Sequence, residues 1–468
     1  MNIVLIVFDS LRKDCIGYYG EPFWGKVQTP HLDALAKESL VMDRAYPESL
    51  PTLPTRRALY TGRKVYPFHN ADFRLKGDFV GAPGWGPIPE DQPTLSELLS
   101  EAGYRTALIS DVYHQFKPSK NYWRGFHQWM FLRGQENDPY RSGPEPTKEM
   151  IDHWLPPEIQ NERRIAFIRQ CLKNMHDRTV EEDYFNARVM IEAAKWLQQN
   201  KDAEKFFLVV ESFDPHEPWF VPEQYRRMYD PSDGPEQVIS GYANTSEMRP
   251  ELVRRTQANY SGLVTMCDRW FGHLYETMRT LGMLDNTLVI VTTDHGHCIG
   301  DNNYIGKRPY PSSRAENDVP VIIRHPDGIG AGKRSDLLIN HNDISALILE
   351  FAGVRPPTPI DGISFWQQAL DGGPAIRDHV TTAWGSAVTV VDDRWWLNIK
   401  IDGTGGFLYD LKTDPKLTKN VADDYPDEVK RLYRLAVQDA EGGFPEFLQD
   451  LCARQVDAPG CSSLVARE

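Results

Sequence analysis

Two apolar segments, each followed directly by an acidic residue, constrain the fold of this chain most. Ile3–Phe8 is continuously apolar and ends at Asp9, and the second run, Thr287–Thr293, ends in Asp294-His295-Gly296. Runs of this kind are typical of strands that are buried on both faces, as in α/β proteins. In an open α/β sheet, functional groups collect just beyond the carboxyl ends of the strands. The sequence therefore predicts an α/β fold in which these polar residues are candidate functional groups.

A carboxylate and an imidazole next to each other at the end of a buried strand need a partner, because both are costly to bury alone. A cation is the natural partner. Asp9, the Thr52 hydroxyl, Asp294 and His295 would together give a mixed oxygen and nitrogen ligand set for one divalent ion. Ca²⁺ is our first expectation, and Mn²⁺, Mg²⁺ and Zn²⁺ are alternatives; Asp9 taken by itself could instead be a helix cap.

The segment Pro51–Arg63 presents a hydroxyl and a guanidinium close together. Thr52 lies just before a proline-rich turn, Arg56 follows four residues later, and the composition of 55–60 indicates a helix that starts at the turn. Free backbone N–H groups and the helix dipole at such a start favour a tetrahedral oxyanion. The segment therefore predicts a nucleophile and an anion site; the alternative is a threonine N-cap with a surface arginine.

Length and charge narrow the class of protein. The chain has 468 residues, 41% of them hydrophobic, and a net charge of −14, which fits a large core plus a second domain and argues against nucleic-acid or anionic-membrane partners. The six cysteines lack CxxC spacing; Cys452 and Cys461 could pair, but free thiols are the main expectation. The apolar start is too short for a signal peptide or a membrane span, so we expect a cytoplasmic protein.

The composition changes after Gly372-Gly373-Pro374. Short alternating strands are predicted at 388–391, 395–401 and 406–410, and a helix at about 427–439. We therefore divide the chain into a catalytic domain at 1–375 and a small C-terminal α+β domain with a tail at 376–468.

Several motifs in order resemble the sulfatase family of the alkaline phosphatase superfamily, in its arylsulfatase and phosphonate monoester hydrolase branch. They are Asp9-Ser-Leu-Arg-Lys-Asp14, Thr29-Pro-His-Leu-Asp-Ala-Leu-Ala36 and the block Pro51–Arg63. The resemblance covers most of the chain. It implies a large mixed sheet sandwiched by helices, plus a small C-terminal antiparallel sheet with a helix. This chain has Thr52 where sulfatases have the cysteine or serine that becomes formylglycine, and threonine cannot give that aldehyde.

The resemblance also implies further site residues. His216 lies in Pro-His-x-Pro and would contact the anion or protonate the leaving group; the alternative is an ordinary loop histidine. Lys307 follows Gly306, shortly after the candidate metal ligands Asp294 and His295, and is similar to the family's anion-binding lysine. The alternative is a solvated lysine. Tyr113 and His114 replace the family's Gly-Lys-Trp-His element and are candidate substrate contacts.

The predicted function is metal-dependent hydrolysis of sulfate or phosphate esters, with a small-molecule ester as substrate. Thr52 would attack in line, the metal and Arg56 would hold the developing charge, and Lys307 and His216 would neutralise the leaving oxygen. Alternatives are a phosphodiesterase or phosphonate monoester hydrolase, and a catalytically silent homologue that binds metal and anion. Replacing Arg56 or Lys307 by alanine should reduce the rate about 10²–10³-fold with the fold intact. The sequence is also compatible with a homo-oligomer.

Overall fold

The computed structural model describes residues 1–68, 82–117 and 120–454. The strands within these ranges are β1 (Asn2–Phe8), β2 (Leu40–Tyr46), β3 (Arg105–Ser110), β4 (Gln128–Phe131), β5 (Phe206–Ser212), β6 (Ala243–Asn244), β7 (Thr287–Thr293), β8 (Cys298–Ile299), β9 (Tyr304–Gly306), β10 (Val319–Arg324), β11 (Arg334–Asn340), β12 (Val380–Trp384), β13 (Ala387–Val391), β14 (Trp395–Lys400) and β15 (Phe407–Asp410). The helices are α1 (Pro30–Lys37), α2 (Thr52–Thr61), α3 (Leu95–Glu101), α4 (Lys148–Trp154), α5 (Glu162–Asn174), α6 (Phe185–Gln199), α7 (Glu223–Arg227), α8 (Pro250–Thr280), α9 (Arg314–Asn317), α10 (His341–Ala352), α11 (Trp366–Asp371), α12 (Pro426–Asp439) and α13 (Glu446–Arg454).

The main sheet has eight strands in the order β11-β2-β10-β7-β1-β5-β3-β4. It is mixed, because β10 runs antiparallel to both β7 and β2 while the other neighbouring pairs are parallel. The predicted large mixed α/β sheet is confirmed.

Strand β1 shows why helices cover both faces of this sheet. Its side chains alternate between two hydrophobic cores, as the pleat requires. Val4, Ile6 and Phe8 join the core that contains residues of α1, α6 and α8. Ile3, Leu5 and Val7 join the core that contains residues of α2, α3 and α10. Between Ile3 and Phe8 this strand has no polar side chain, so the next polar side chain, Asp9, lies where the strand ends.

The C-terminal part contains a separate four-stranded antiparallel meander in the order β12-β13-β14-β15. This confirms the predicted small antiparallel sheet and adds β12, which the sequence analysis missed. Helix α12 begins at Pro426, one residue before the predicted start. The boundary between 375 and 376 stays a prediction. Among the described residues Cys452 forms no disulfide, and the pairing with Cys461 lies outside the described residues.

Strand register places the predicted site at the edge of the main sheet where the carboxyl ends of the central strands meet. Phe8 is paired with Ser212 on one side and with Thr293 on the other, so β1, β5 and β7 end at the same level. The residues that follow these three strands therefore meet. Within the described ranges, no helix combines the length and the apolar composition that crossing a membrane would require.

Candidate active site

Three predicted metal ligands lie together at this sheet edge. Asp9, Asp294 and His295 are at most 1% exposed, and their ligand atoms lie within 4.8 Å of one another. Ser10 orients both carboxylates, since its backbone N–H donates to Asp294 Oδ1 at 3.0 Å and its hydroxyl donates to Asp9 Oδ1 at 2.9 Å. The two carboxylates are therefore held side by side by the turn that ends β1.

The protonation states of these residues suit metal binding. Burial lowers the pKa of His295 to about 4, so its imidazole is neutral at pH 7. Its Nδ1 lies 2.9 Å from the carbonyl oxygen of Gly296 and donates to it, which leaves the lone pair on Nε2. Burial and the adjacent Asp294 carboxylate raise the pKa of Asp9 well above its ordinary value. A cation bound between Asp9 and Asp294 would offset both the cost of burying the Asp9 charge and its repulsion by Asp294.

Thr52 lies next to this cluster. It is the first residue of α2 rather than a residue ahead of the helix, and it is 3% exposed. Its Oγ1 lies 3.4 Å from His295 Nε2, the nitrogen that carries the lone pair. The start of α2 therefore brings the hydroxyl to the metal-ligand cluster, and the helix dipole adds partial positive charge there.

Arg56 lies one turn further along α2 and contacts carboxylates. Its side chain is fully buried; Nη1 lies 2.5 Å from Asp294 Oδ2 and 3.1 Å from Asp9 Oδ2, and Nε lies 2.8 Å from Glu211 Oε2. Three buried carboxylates surround one guanidinium, so the site can accept further positive charge. Asp9 Oδ2 also accepts no hydrogen bond among the described residues. The residues present therefore fit the expected metal.

Glu211 is a site residue that the sequence motifs did not single out. It is 0% exposed at the end of β5. Tyr60 and Gln115 both donate to its carboxylate, with Gln115 Nε2 2.6 Å from Oε2. A glutamate inside an apolar strand could have signalled this role, because burying its charge requires a cation such as Arg56.

Lys307 and His216 form the second half of the site. Lys307 Nζ lies 2.6 Å from His216 Nε2, and both side chains are at most 5% exposed. Burial opposes the charge of Lys307, but Glu217 and Asp9 raise its pKa above the ordinary value. Gly306 precedes Lys307 with a φ of +130°, and a Cβ atom there would collide with the Tyr242 ring. Glycine is therefore required for the backbone that delivers Lys307 to the site.

Tyr113 and His114 both contact the carboxylate of Glu136, which connects them to His216. The Tyr113 hydroxyl donates to Glu136 Oε2 at 3.0 Å, and His114 Nε2 lies 3.4 Å from the same atom. Glu136 Oε1 in turn lies 3.4 Å from His216 Nδ1. Glu136 lies between β4 and α4, and the sequence motifs did not single it out.

Two further residues near His216 were not assigned roles from the sequence. Glu217 Oε2 lies 2.9 Å from His297 Nε2 and 3.2 Å from His216 Nδ1. Glu217 follows His216 directly in the Pro-His-Glu-Pro loop, so its position in that motif was an available signal.

The arrangement unites a candidate nucleophile, a candidate metal set and a buried ammonium. Comparisons with known proteins identify the family of the chain. The family model described as Sulfatase matches residues 1–354. The arylsulfatase of Clostridium perfringens (strain 13 / Type A) is 25% identical, with 94% of each chain covered. The multifunctional alkaline phosphatase superfamily protein PehA of Trinickia caryophylli is 23% identical over 90% of this chain and 91% of its own.

The fold is shared with solved structures. The crystal structure of the phosphonate monoester hydrolase of Agrobacterium radiobacter matches with a TM-score of 0.69 and 22% identity, covering 97% of this chain and 96% of that chain. The resemblance seen in the sequence motifs is thereby confirmed. The chain therefore belongs to the sulfatase family, a branch of the alkaline phosphatase superfamily, and it is an ester hydrolase.

Proposed function

We propose that this protein is a metal-dependent hydrolase of sulfate or phosphate esters that uses Thr52 as its nucleophile. The observation that carries the proposal is the position of Thr52 Oγ1 at the start of α2, 3.4 Å from His295 Nε2 and beside two buried carboxylates. A hydroxyl held beside a candidate metal set can be activated as a nucleophile by coordination to the metal.

Asp9, Asp294, His295 and Thr52 would hold one divalent cation. When bound, the ion supplies Lewis-acid charge that stabilises negative charge on the substrate oxygens. Two carboxylates and a hydroxyl suit Ca²⁺ or Mg²⁺, whereas an imidazole suits Mn²⁺ or Zn²⁺, so all four ions belong in a metal screen.

The side chains of the protein have separate roles in the proposed reaction. The Thr52 hydroxyl gives up its proton to water and its oxygen attacks sulfur or phosphorus in line, forming an ester bond while the bond to the leaving oxygen breaks; the leaving oxygen then takes up a proton from water. Lys307 donates a hydrogen bond to that leaving oxygen, and His216 holds the ammonium in place. Water then cleaves the threonine ester. Arg56 holds the carboxylates of Asp9 and Asp294, so we now assign it a positioning role instead of direct contact with the anion.

A second candidate is hydrolysis of phosphodiesters or phosphonate monoesters, and the identity of Thr52 favours it. Threonine carries a secondary alcohol, so its oxidation would give a ketone and the aldehyde chemistry of sulfatases is closed to it. If Thr52 became sulfated during turnover, its sulfate could be released only by attack of water. The named phosphonate monoester hydrolase of Agrobacterium radiobacter has the same fold and supports testing this class first.

The test is a substrate panel of aryl sulfate, phosphate monoester, phosphodiester and phosphonate monoester, each with Ca²⁺, Mg²⁺, Mn²⁺ and Zn²⁺. We expect turnover of at least one class that disappears with chelator and in Thr52→Ala. Full activity in Thr52→Ala would remove Thr52 as the nucleophile. Absence of turnover across the panel, with retained phosphate and metal binding, would instead support a catalytically silent homologue.

A further inference from the structure

Glu217 connects three groups around the proposed leaving-group side of the site. Its Oε2 lies 2.9 Å from His297 Nε2, 3.2 Å from His216 Nδ1 and 3.8 Å from Lys307 Nζ. It is 6% exposed. Among the described residues, no other carboxylate forms an ion pair with Lys307 within 4.0 Å.

The direction of the hydrogen bonds shows which atoms of this cluster carry protons. A charged lysine can only donate, so the 2.6 Å contact makes His216 Nε2 the acceptor. The proton of the neutral imidazole then lies on Nδ1, which faces the Glu217 carbonyl oxygen at 2.9 Å as well as the carboxylates of Glu217 and Glu136. Every nitrogen of this ring thus has a partner.

The same cluster has the composition of a metal site, because Glu136, His216 and Glu217 place ligand atoms within 4.8 Å of one another. Metal binding through His216 Nδ1 needs a lone pair on that atom. The donation from Lys307 puts a proton there instead. The hydrogen bonds therefore favour a cluster that orients an ammonium over one that binds a second metal.

We propose that Glu217 is a positioning residue for the hydrolytic reaction: it fixes the His216 ring and the Lys307 ammonium together, so that one Lys307 N–H is directed at the leaving oxygen. This inference rests on the proposed function, because it assigns Lys307 to the leaving group. His297 holds the outer side of Glu217 and prevents its carboxylate from turning away. Within the described part of the chain, loss of Glu217 leaves the neutral His216 ring as the one hydrogen-bond partner of Lys307 Nζ.

The first experiment compares Glu217→Gln with the wild type, because this change keeps the volume and removes the charge. We expect kcat to fall about 10- to 100-fold for esters with poor leaving groups. With an activated aryl leaving group, which needs little help, we expect a much smaller loss and little change in KM. Glu217→Asp, which restores a carboxylate, should recover part of the loss.

A matched control is Glu236→Gln, the same change at a glutamate of similar burial that pairs with Arg226 and Arg255. It should leave the dependence of kcat on the leaving group as in the wild type. An equal loss of kcat for good and poor leaving groups in Glu217→Gln would overturn the positioning role.

The second experiment does not need turnover. Inorganic phosphate binding is measured by calorimetry on the metal-loaded wild type and on Glu217→Gln, with circular dichroism to verify folding. We expect phosphate affinity to fall about tenfold, because the ammonium is no longer held towards the anion. Unchanged affinity would overturn the proposal even if the wild type hydrolyses none of the esters tested. Elemental analysis showing two metal equivalents, one of them lost in Glu217→Gln, would overturn it by making Glu217 a metal ligand.

Discussion

Arg56 Nη1 lies 2.5 Å from Asp294 Oδ2. Arg56, which the sequence predicted to hold charge on the substrate, therefore forms an ion pair with a candidate metal ligand. The guanidinium is fully buried and also pairs with Asp9 and Glu211. This contact links the stability of the fold to the state of the metal site. It also changes the expectation that Arg56→Ala would leave the fold intact.

We predict that Arg56→Ala destabilises the chelator-treated protein by about 3–5 kcal/mol, because removing one partner leaves buried charges uncompensated. Added Mn²⁺ or Ca²⁺ should raise the melting temperature more in this variant than in the wild type, since the cation replaces the lost positive charge. Thermal unfolding with and without metal measures both effects. Arg57→Ala is the control, because Arg57 follows on the same helix and, among the described residues, its side chain donates hydrogen bonds to Gln92 alone. Equal stability of Arg56→Ala and wild type in chelator would contradict the prediction.

Thr52 is expected to carry a covalent intermediate. Thr52→Ala should lose at least about 10³-fold in kcat, as nucleophile removal does in other hydrolases, whereas Thr52→Ser should stay active because it keeps a hydroxyl. Acid quenching during turnover, followed by peptide mass spectrometry, should find one added sulfuryl or phosphoryl group on the peptide that contains Thr52. Thr61→Ala, at the other end of α2, should behave like the wild type. A modified peptide from another part of the chain would assign the nucleophile elsewhere.

Lys307 is expected to act on the leaving oxygen. Lys307→Met should lower kcat about 10²–10³-fold, the loss typical of removing one preorganised donor. Plotting kcat against the pKa of the leaving alcohol should give a steeper slope for the variant, since poor leaving groups depend most on a donor. Lys419→Met changes an exposed lysine and serves as the control. Parallel slopes for wild type and Lys307→Met would place Lys307 elsewhere in the reaction.

Local patterns in the sequence were sufficient to predict two central strands of the main sheet, β1 and β7, and the residues that follow them. β7 was predicted with its observed bounds, and Asp9 and Asp294-His295 were singled out because a polar residue after a doubly buried strand has few structural explanations. The helix at 52–61 was recognised, but its start was predicted three residues late, because Pro54 in the first turn was interpreted as part of the preceding turn.

The missed residues depend on contacts between distant parts of the chain. Glu211 pairs with Arg56 across 155 residues, and Glu136 comes from the region 115–180, whose sequence has few periodic patterns. Periodicity reports which face of an element is buried; it does not report which buried carboxylates converge on one point. The sequence therefore predicted the groups at strand ends, whereas the supporting carboxylates needed the structure.

Glu48 gives a prediction about pH and stability that is independent of the site chemistry. Its carboxylate is 1% exposed and accepts hydrogen bonds from the backbone N–H groups of Val65 and Tyr66, at 3.0 and 3.3 Å, and from the Ser49 hydroxyl at 2.7 Å. Burial raises its pKa to about 7, although these hydrogen bonds oppose the rise. The folded protein therefore holds the proton of Glu48 more tightly than the unfolded chain does.

The sign of the effect follows from this difference. Below the ordinary glutamate pKa both states are protonated and the contribution of Glu48 to stability is complete; as the pH rises through the folded value of about 7, that contribution is lost. Glu48→Gln cannot ionise, so the wild type should lose roughly 3 kcal/mol relative to this variant between about pH 4 and about pH 8. Urea unfolding of both proteins at several pH values measures the difference, and thermal scans check that each unfolds in one transition. A difference that does not change with pH would mean that Glu48 titrates alike in the folded and unfolded chains, which is incompatible with a carboxyl buried as the structure shows.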